Sequence, residues 1–344
     1  MKIANLEPNQ LATWQKAVLW LFKYAFLFAF IAMIFYFSVV SDSFLGGSNL
    51  MNIARGSVVV LLIALALTVV ISSGGIDLSV GVALDFGAWF VIIGMASWSL
   101  PWPLAVLAGL IGGSLIGALN AMLIVVLGVT PFLATLGTFF IGRSIQQIGT
   151  GGGASVSYRK APEDFQAIAQ GESLGIPNIL LVGATVLLVY FIVMELSTHG
   201  KRIHALGIQN SAARVAGINT KKYRAWVFII AGTTAAIGGI LLSSGLRIYT
   251  PMAGFAYLLD GIAAVFIGAS LHRGGRPNVL GTLIGVLFLA TLNNGLDIMG
   301  IDFNVKAALK GIILVLAISA AVLVSNRLPQ VEQWFSRQKR ATTE

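Results

Sequence analysis

The chain alternates between long apolar runs and short polar segments. A helix needs about 20 apolar residues to cross a bilayer, and ten runs reach or approach that length. They span residues 17–40, 56–73, 76–97, 104–127, 131–149, 178–197, 225–245, 257–270, 279–296 and 306–325. The eighth run is short for a full crossing, so we expect a broken or re-entrant element there. The pattern predicts an all-α polytopic membrane protein with about ten transmembrane segments, some short or re-entrant.

Composition agrees with this class. Of the 344 residues, 57% are hydrophobic and 10% charged, against roughly 25% charged in soluble domains. The chain has no cysteine, which excludes disulfides, thiolate nucleophiles and cysteine metal sites. A net charge of +9 would suggest nucleic acid on a soluble face, but these basic residues lie in loops between apolar runs. There they match anionic headgroups, so we expect membrane lipids and no nucleic acid as partners.

The charge of the polar segments predicts the orientation of the chain. Short basic loops stay on the cytoplasmic side, and segment 199–224 carries six Lys/Arg and no acid. With the N-terminus inside, segments 1–16, 199–224, 271–278 and 326–344 face inward and hold 14 of the 22 Lys/Arg, whereas the outer segments hold 4. We predict an inner N-terminus (1–16), a transmembrane domain (17–325) and an inner C-terminal tail (326–344). The first run is too long for a signal-peptide core, so we interpret it as a span.

Two loops are candidate docking surfaces. Segment 150–177 is the longest outer segment, and its mixed charge and Gly-Ile-Pro boundary predict an ordered loop. In the inner loop 199–224, Asn210 is positioned to cap a short helix from Ser211 to Ala216, which Gly217 would end. A helix of about six residues is marginal in water by itself. We therefore hypothesise that a groove on another protein holds it from the inner side.

A short internal match suggests an inverted repeat. Residues 113–117, Gly-Ser-Leu-Ile-Gly, resemble residues 281–285, Gly-Thr-Leu-Ile-Gly. The predicted topology runs their two spans in opposite directions, as in transporters built from inverted halves. Small residues that serve only as helix contacts explain the match equally well.

The first polar cluster lies between the second and third runs, at residues 72–81. An ionised Asp at the bilayer centre costs about 2.5–3.5 kcal/mol, so Asp77 must lie at an end, in a cavity or in a pair. One interpretation is a helix break at Gly74 and Gly75 that lines the path or its gate, with Asp77 and Ser79. The other is that Asp77 caps the third span, with 76–81 as its first turn. We favour the cap.

The second polar cluster lies at residues 243–254 and is followed by Asp260. Its Pro251, its Gly254 and the short run after it predict irregular backbone at membrane depth, which is tolerated only inside protein or beside water. Arg247 and Asp260 are candidates for an ion pair there. An external turn with one partly buried carboxylate is the equal alternative.

Enzyme signatures are absent from the sequence. It contains no nucleotide-phosphate loop, no His-Glu-x-x-His and no Gly-x-Ser-x-Gly. The three histidines, His199, His204 and His272, fall in inner loops without a nearby acid in sequence, which predicts solvated side chains. We expect no catalytic residue, no metal and no cofactor. Uphill transport would then draw on an ion gradient or on a partner that hydrolyses ATP.

Several motifs in order carry a resemblance to a known family. They are residues 73–81, 131–137 with Arg143, 205–207 with Asn210 and 212–219, 260–268, 281–285 and 292–296. Over about residues 44–325 the chain resembles the ribose-type permeases of bacterial ABC importers. The resemblance implies an inner-membrane homodimer or paired homologue, cytoplasmic ATP-binding subunits and a periplasmic binding protein that delivers a monosaccharide. Loop 150–177 would then be periplasmic, and loop 199–224 would be the coupling loop.

The resemblance also implies roles for particular residues. The ATPase-coupling helix would comprise Asn210, Ser211, Ala212, Ala213, Arg214, Val215, Ala216 and Gly217. Candidates for the translocation path or gate are Gly74, Gly75, Asp77, Ser79, Asp260, Asn293 and Asn294. Departures from the family pattern occur at Leu258, at residues 207–209 and at residues 272–277. They leave the ligand open among ribose, other pentoses, hexoses, polyols and a sugar-derived signal molecule.

A competing class remains open at this point. An ion-coupled secondary transporter would use an intramembrane carboxylate, Asp77, Asp85 or Asp260, as its proton or sodium site. A membrane enzyme has no supporting motif. We predict a permease subunit that imports a monosaccharide or related polyol by alternating access, with ATP hydrolysed in a partner.

Overall fold

A computed structural model describes the backbone of residues 13–272 and 275–341, and the side chains of residues 26–272 and 275–322. Within these residues the chain forms thirteen α-helices. They are α1 (Thr13–Val40), α2 (Gly47–Ser72), α3 (Val80–Ala96), α4 (Trp102–Val125), α5 (Pro131–Gly149), α6 (Glu163–Gln170), α7 (Asn178–Phe191), α8 (Thr198–Ile208), α9 (Asn210–Val215), α10 (Thr220–Leu246), α11 (Gly254–Leu271), α12 (Val279–Ile298) and α13 (Phe303–Ala341). A π-helical segment, Ile192–Leu196, continues α7.

Each of the ten apolar runs coincides with one long helix, and the all-α polytopic class is confirmed. Seven helical segments are long and apolar enough to cross a membrane: α2, α4, α7 with its π-helical continuation, α10, α11, α12 and the Phe303–Val322 part of α13. The described apolar part of α1, Phe26–Val40, and helix α3 are shorter. Helix α5 matches the fifth run, but Arg143, Gln146 and Gln147 make it more polar.

Segments assigned to the same side by the ten-span topology lie together in the structure. At one end, the backbone N–H of Val279 donates to Glu195 Oε1 at 2.9 Å, which joins the start of α12 to the end of α7. At the other end, Arg55 and Glu172 form an ion pair at 3.0 Å. Alternate crossings require this pairing of ends. Residues 1–12 of the predicted inner N-terminus lie outside the described residues.

Helix α2 forms the centre of the bundle. Its residues from Ser57 to Val70 are buried, and α3, α7, α10, α11 and α12 pack around it. A helix apolar on all sides is expected in such a position. Burial on every side explains why its sequence shows a continuous apolar run rather than one apolar stripe.

Small residues bring the helices close together. A Cβ on Gly113 of α4 would lie 2.8 Å from the carbonyl oxygen of Gly232 in α10. A Cβ on Gly281 of α12 would lie 2.6 Å from the carbonyl oxygen of Gly268 in α11. In membranes, where water does not drive helices together, such close backbone approach is a main source of association. The glycines at both ends of the internal match therefore serve as helix contacts.

The outer segment 150–177 contains regular structure. Strand β1 (Val156–Ser157) pairs antiparallel with β4 (Ile248–Tyr249), and β2 (Glu172–Ser173) pairs with β3 (Ile176–Pro177). Helix α6 lies between them. The hydroxyl of Ser244 donates to the carbonyl of Phe165 at 2.6 Å, and the Phe165 ring is fully buried. The segment is thereby attached to the end of α10.

Candidate functional site

The basic loop 199–224 folds into two helices before α10 begins. Ser197 caps α8 by accepting a hydrogen bond from the backbone N–H of His199 at 3.0 Å. Asn219 caps α10 by accepting from Lys222 at 3.0 Å. These caps satisfy N–H groups that a helix start leaves unpaired. Sequence analysis missed α8. The usable signal for its start was Ser197, a residue type that caps helices, followed by two residues that are neither Gly nor Pro.

The short helix predicted in this loop is present as α9, one residue earlier than expected. Ala216 follows its last residue, and Gly217 has a φ of +80°. The predicted cap is wrong: Asn210 is the first helical residue, and its buried Oδ1 has no hydrogen-bond partner. The reason is that α8 extends to Ile208, so Gln209 alone forms the corner and Asn210 already has helical geometry.

The exposed side of α9 is partly apolar. Ala213 faces inward and is buried, whereas Ser211, Ala212 and Arg214 are exposed. Val215 is 90% exposed and Ile208, at the end of α8, is 62% exposed. Large apolar side chains in such positions are typical of a surface that contacts another protein.

The turn after α2 lies directly against α8. Gly74 has a φ of +83°, which glycine adopts without steric cost. A Cβ there would lie 3.1 Å from the Cα of Gly207. A Cβ on Gly207 would in turn lie 3.0 Å from the nitrogen of Gly74. The two backbones are therefore in direct contact, and any side chain at Gly207 would separate them.

Asp77 is bonded within its own turn. Its side chain is 1% exposed, and Oδ1 accepts from the backbone N–H and the hydroxyl of Ser79 at 2.8 and 2.6 Å. Ser79 Oγ accepts from Asn120 of α4 at 2.6 Å, and Asn120 accepts from Thr138 of α5 at 2.7 Å. Helix α3 begins at Val80, so the predicted first turn at 76–81 is wrong. The Asp77 carboxylate instead accepts hydrogen bonds from Ser79, the residue before the helix.

The second cluster is a largely irregular segment between α10 and α11. Tyr249 stacks on Trp89, with ring centroids 6.0 Å apart, and the N–H of Gly254 donates to Asp85 Oδ1 at 2.8 Å. Trp89 and Asp85 lie about one turn apart on α3. The segment from Tyr249 to Gly254 therefore runs roughly 5 Å along that helix. Gln146 of α5 accepts from the Tyr249 hydroxyl at 2.9 Å. The expected irregular backbone is thus packed against α3 and α5 at Tyr249 and Gly254, while Thr250 between them is exposed.

The other predicted contacts in the bundle differ from expectation. Asp260 pairs with Lys310 of α13 at 2.9 Å, not with Arg247. Arg247 ends α10 in the left-handed conformation, and its carbonyl accepts from Tyr158. Lys310 lies on α13, and the spanning helix α12 separates it in the chain from Asp260 on α11. The cation that compensates this buried carboxylate is therefore distant in sequence.

Two asparagines join the start of α2 to the last part of α12. Asn49 and Asn294 exchange hydrogen bonds, each Nδ2 donating to the partner's Oδ1 at 2.9 Å. Asn49 also donates to the carbonyl of Phe44 at 2.8 Å. Asn293 is half-buried beside them.

The path candidates therefore occupy three places rather than one. Gly74, Gly75, Asp77 and Ser79 share the turn after α2, Asp260 lies against α13, and Asn293 and Asn294 lie near Asn49. Sequence analysis missed the polar residues that connect helices, Asn120, Thr138, Gln146 and Lys310. Only their polarity inside apolar runs marked them.

The three histidines lie in the loops predicted to face inward. His199 Nδ1 lies 3.0 Å from the hydroxyl of Tyr223. His204 is partly buried, contrary to the predicted solvated position. Burial lowers the pKa of His204, while Glu195 raises it and Arg276 and His272 lower it further. In the described part of the chain no three His, Cys, Asp or Glu side chains are placed to hold a metal ion.

Comparison with known proteins gives a consistent family. The model of the branched-chain amino acid transport system / permease component family matches residues 49–318. The chain is 33% identical over 285 residues to a ribose import permease protein of Bacillus subtilis (strain 168), covering 82% of this chain and 87% of that one.

Two further relatives extend the comparison. A ribose import permease protein of Escherichia coli (strain K12) is 33% identical over 311 residues, or 90% of this chain and 95% of that one. A galactofuranose transporter permease protein of the same strain is 32% identical over 278 residues, or 80% of each chain. No solved structure matches the chain.

Proposed function

The chain belongs to the branched-chain amino acid transport system / permease component family, as a ribose-type ABC permease, and from that premise we propose that it forms half of the membrane pore of an ATP-driven importer. The cargo is a monosaccharide or a related small polyol. The named relatives import ribose or transport galactofuranose. The protein itself is a multi-pass, non-catalytic permease subunit.

Helix α9 carries the proposal that ATP is hydrolysed in a partner. The sequence has no phosphate-binding loop, and α9 ends in the exposed Val215 beside a basic surface. A short helix of this kind gains stability when a groove on another protein receives it. ATP-binding subunits on the inner side would dock on Asn210 to Gly217, and the basic loop predicts that this side is cytoplasmic.

Movement of α9 has a direct route into the bundle. Helices α8 and α9 are separated by Gln209 alone. Gly207 of α8 contacts the backbone of Gly74, and the same turn leads to Asp77, whose bonded partners continue to α4 and α5. Closing of the ATP-binding subunits would displace this connected set and reorient the helices around the path.

The path itself would lie between two protomers. Arg143 and Ser144 are exposed on α5, the predicted fifth span. A charged side chain facing lipid there is costly, so it is expected to face water or another chain. A second copy or a homologous permease placed against α5 would supply that environment. The side of the permease opposite the ATP-binding subunits would receive a periplasmic sugar-binding protein on loop 150–177. Most specificity for the sugar would reside in that protein.

The ion-coupled alternative receives little support from the contacts. Asp77, Asp85 and Asp260 accept hydrogen bonds from Ser79, Gly254 and Lys310 respectively. An ion-coupled mechanism requires one of these carboxylates to bind an ion or exchange a proton in each cycle, whereas each of them already joins parts of the chain. Alternating access driven by ATP makes no such demand.

Transport by a reconstituted complex tests the proposal. Proteoliposomes would contain this chain, an ATP-binding subunit and a sugar-binding protein from the same genome, with labelled ribose and galactose as cargo. We expect uptake that requires ATP and the binding protein and persists with an uncoupler. Uphill uptake by the purified chain alone, or uptake that survives ATP depletion but collapses with an uncoupler, would refute it.

Orientation has a separate test. The chain contains no cysteine, so Lys221→Cys introduces a single thiol in the basic loop. We expect a membrane-impermeant maleimide to label it in inside-out vesicles and not in intact cells. Labelling in intact cells would place the loop outside, where ATP-binding subunits are absent.

A further inference from the structure

A cavity of about 870 Å³ lies between α7, α8 and α10, at the end of the bundle where the basic loop folds. Val189 of α7 and Val193 of its π-helical continuation line one edge, and Trp226 and Ile230 of α10 line the other. All four side chains are exposed, Val189 to 52% and Trp226 to 53%. Because both edges belong to helical segments long and apolar enough to span a membrane, an opening between them would face the bilayer.

The inner wall of this cavity is closed. Tyr190, Val69 and Val227 line it and are buried. Val69 belongs to α2, which is packed on every side. The cavity therefore does not continue into a channel at this residue. The hydroxyl of Tyr190 bonds to Thr234 Oγ1 at 2.7 Å, which ties α7 to α10. The cavity therefore ends inside the bundle and is distinct from a path across the membrane.

The end of the cavity near the loop is polar and basic. Arg202 Nη1 donates to the hydroxyl of Tyr223 at 2.9 Å, and its guanidinium lies 5.9 Å from the centroid of that ring. A guanidinium has five N–H donors, and this bond uses one. Lys222 and His199 also line this end. Among the lining residues that the structure describes, none is acidic.

We propose that this cavity binds an anionic phospholipid from the leaflet on the basic-loop side. The phosphate lies near Arg202 and Lys222, and an acyl chain lies along the apolar edges of α7 and α10. Three observations converge: exposed side chains on two candidate spanning helices, a buried apolar wall, and a basic end next to Trp226, a residue type that favours the membrane interface. The volume is within the range of sites that enclose small ligands, about 300–1,000 Å³.

The lipid would also contact the segment that follows α9. Residues 216–219 line the same cavity, so an occupied site supports the loop from the membrane side. Attraction between basic side chains and anionic headgroups is screened by salt and extends only over a Debye length. Binding is therefore specific to lipids whose phosphate reaches this end of the cavity.

Native mass spectrometry of the purified full chain tests the site. The detergent-solubilised protein is titrated with dioleoyl phosphatidylglycerol and, separately, with dioleoyl phosphatidylcholine. We expect Arg202→Gln/Lys222→Gln to weaken phosphatidylglycerol binding about thirtyfold, about fivefold for each basic side chain. The matched control, Lys201→Gln/Lys221→Gln, removes the same charge from adjacent exposed residues outside the cavity and should leave affinity unchanged.

A second variant tests the apolar wall without altering charge. Ile230→Trp fills the edge of the cavity and should also weaken binding, and it decides the question if the charge variant fails to elute as a single species. Equal loss in the matched control, equal binding of phosphatidylcholine, or displacement of the lipid by excess inorganic phosphate would each overturn the proposal. So would full affinity in Ile230→Trp.

Discussion

Replacement of Gly207 by alanine perturbs the contact between the basic loop and α2. A Cβ at this position would lie 3.0 Å from the nitrogen of Gly74 and 3.0 Å from the carbonyl carbon of Ser72, with the Ser72 oxygen nearer still. Carbon atoms in good contact are about 3.5–4.0 Å apart. The Ser72 oxygen sets the shift, so the two backbones must separate by about 1 Å or more, and neither side of the contact is a flexible side chain.

Two opposing terms set the magnitude. Overpacking costs about 1–3 kcal/mol, while alanine is favoured over glycine inside a helix by up to about 1 kcal/mol. Because rigid backbone resists the shift, the cost falls in the upper part of its range and prevails by about 1–2 kcal/mol. That is about a five- to thirtyfold loss in the population of the joined state. Gly56→Ala is the matched control, since no atom lies within 4 Å of its Cβ.

The assay has a stability and a coupling readout. We expect Gly207→Ala to lower the temperature at which the detergent-solubilised chain loses monodispersity, whereas Gly56→Ala leaves it unchanged or raises it. In the reconstituted importer, Gly207→Ala should lower the sugar transported per ATP hydrolysed. If Gly207→Ala matches the unmodified protein in both readouts, the backbone contact neither stabilises the loop nor transmits its movement.

Three further changes have defined outcomes. Lys310→Met should destabilise the chain by about 3–5 kcal/mol because it leaves Asp260 buried without its cation, and adding Asp260→Asn should restore most of the loss; a single variant as stable as the unmodified protein would contradict the pairing. Val215→Asp should abolish co-purification of the ATP-binding subunit while changing stability by less than about 0.5 kcal/mol, since Val215 is exposed, and unchanged co-purification would exclude α9 from the interface. Asn49→Ala and Asn294→Ala should show a coupling free energy of about 0.6–1.7 kcal/mol in a double-mutant cycle measured by unfolding in detergent, whereas additive effects would mean that the paired amides do not stabilise the bundle.

The sequence predicted the spanning helices well because the signal for each is local. Bilayer thickness sets the length of an apolar run, and a run contains its own evidence. Helix α5 begins at the predicted residue because Pro131 starts it, and it also ends at the predicted residue, Gly149. The same local logic found the irregular backbone at Pro251, since proline and glycine act on their own neighbourhood.

Side-chain partners were not predictable in this way. Asp260 and Lys310 are 50 residues apart, and Asp85 is bonded to an N–H 169 residues later. Only the packed bundle brings them together, and the sequence offered Arg247 as the nearer choice. The cap at Asn210 failed for a local reason, because the unpredicted helix α8 occupies the chain as far as Ile208.

The satisfied carboxylates bear on where a sugar would cross. A sugar passing through a single chain would need hydrogen-bonding groups along its route, but Asp77, Asp85 and Asp260 are each already bonded inside the protein. Glycine contacts leave little space between α4 and α10 or between α11 and α12. The face of α5, which exposes Arg143 and Ser144 among apolar side chains, is then the surface that we propose for the path. A path formed between two copies would need few polar contacts if, as proposed, the delivering protein selects the sugar.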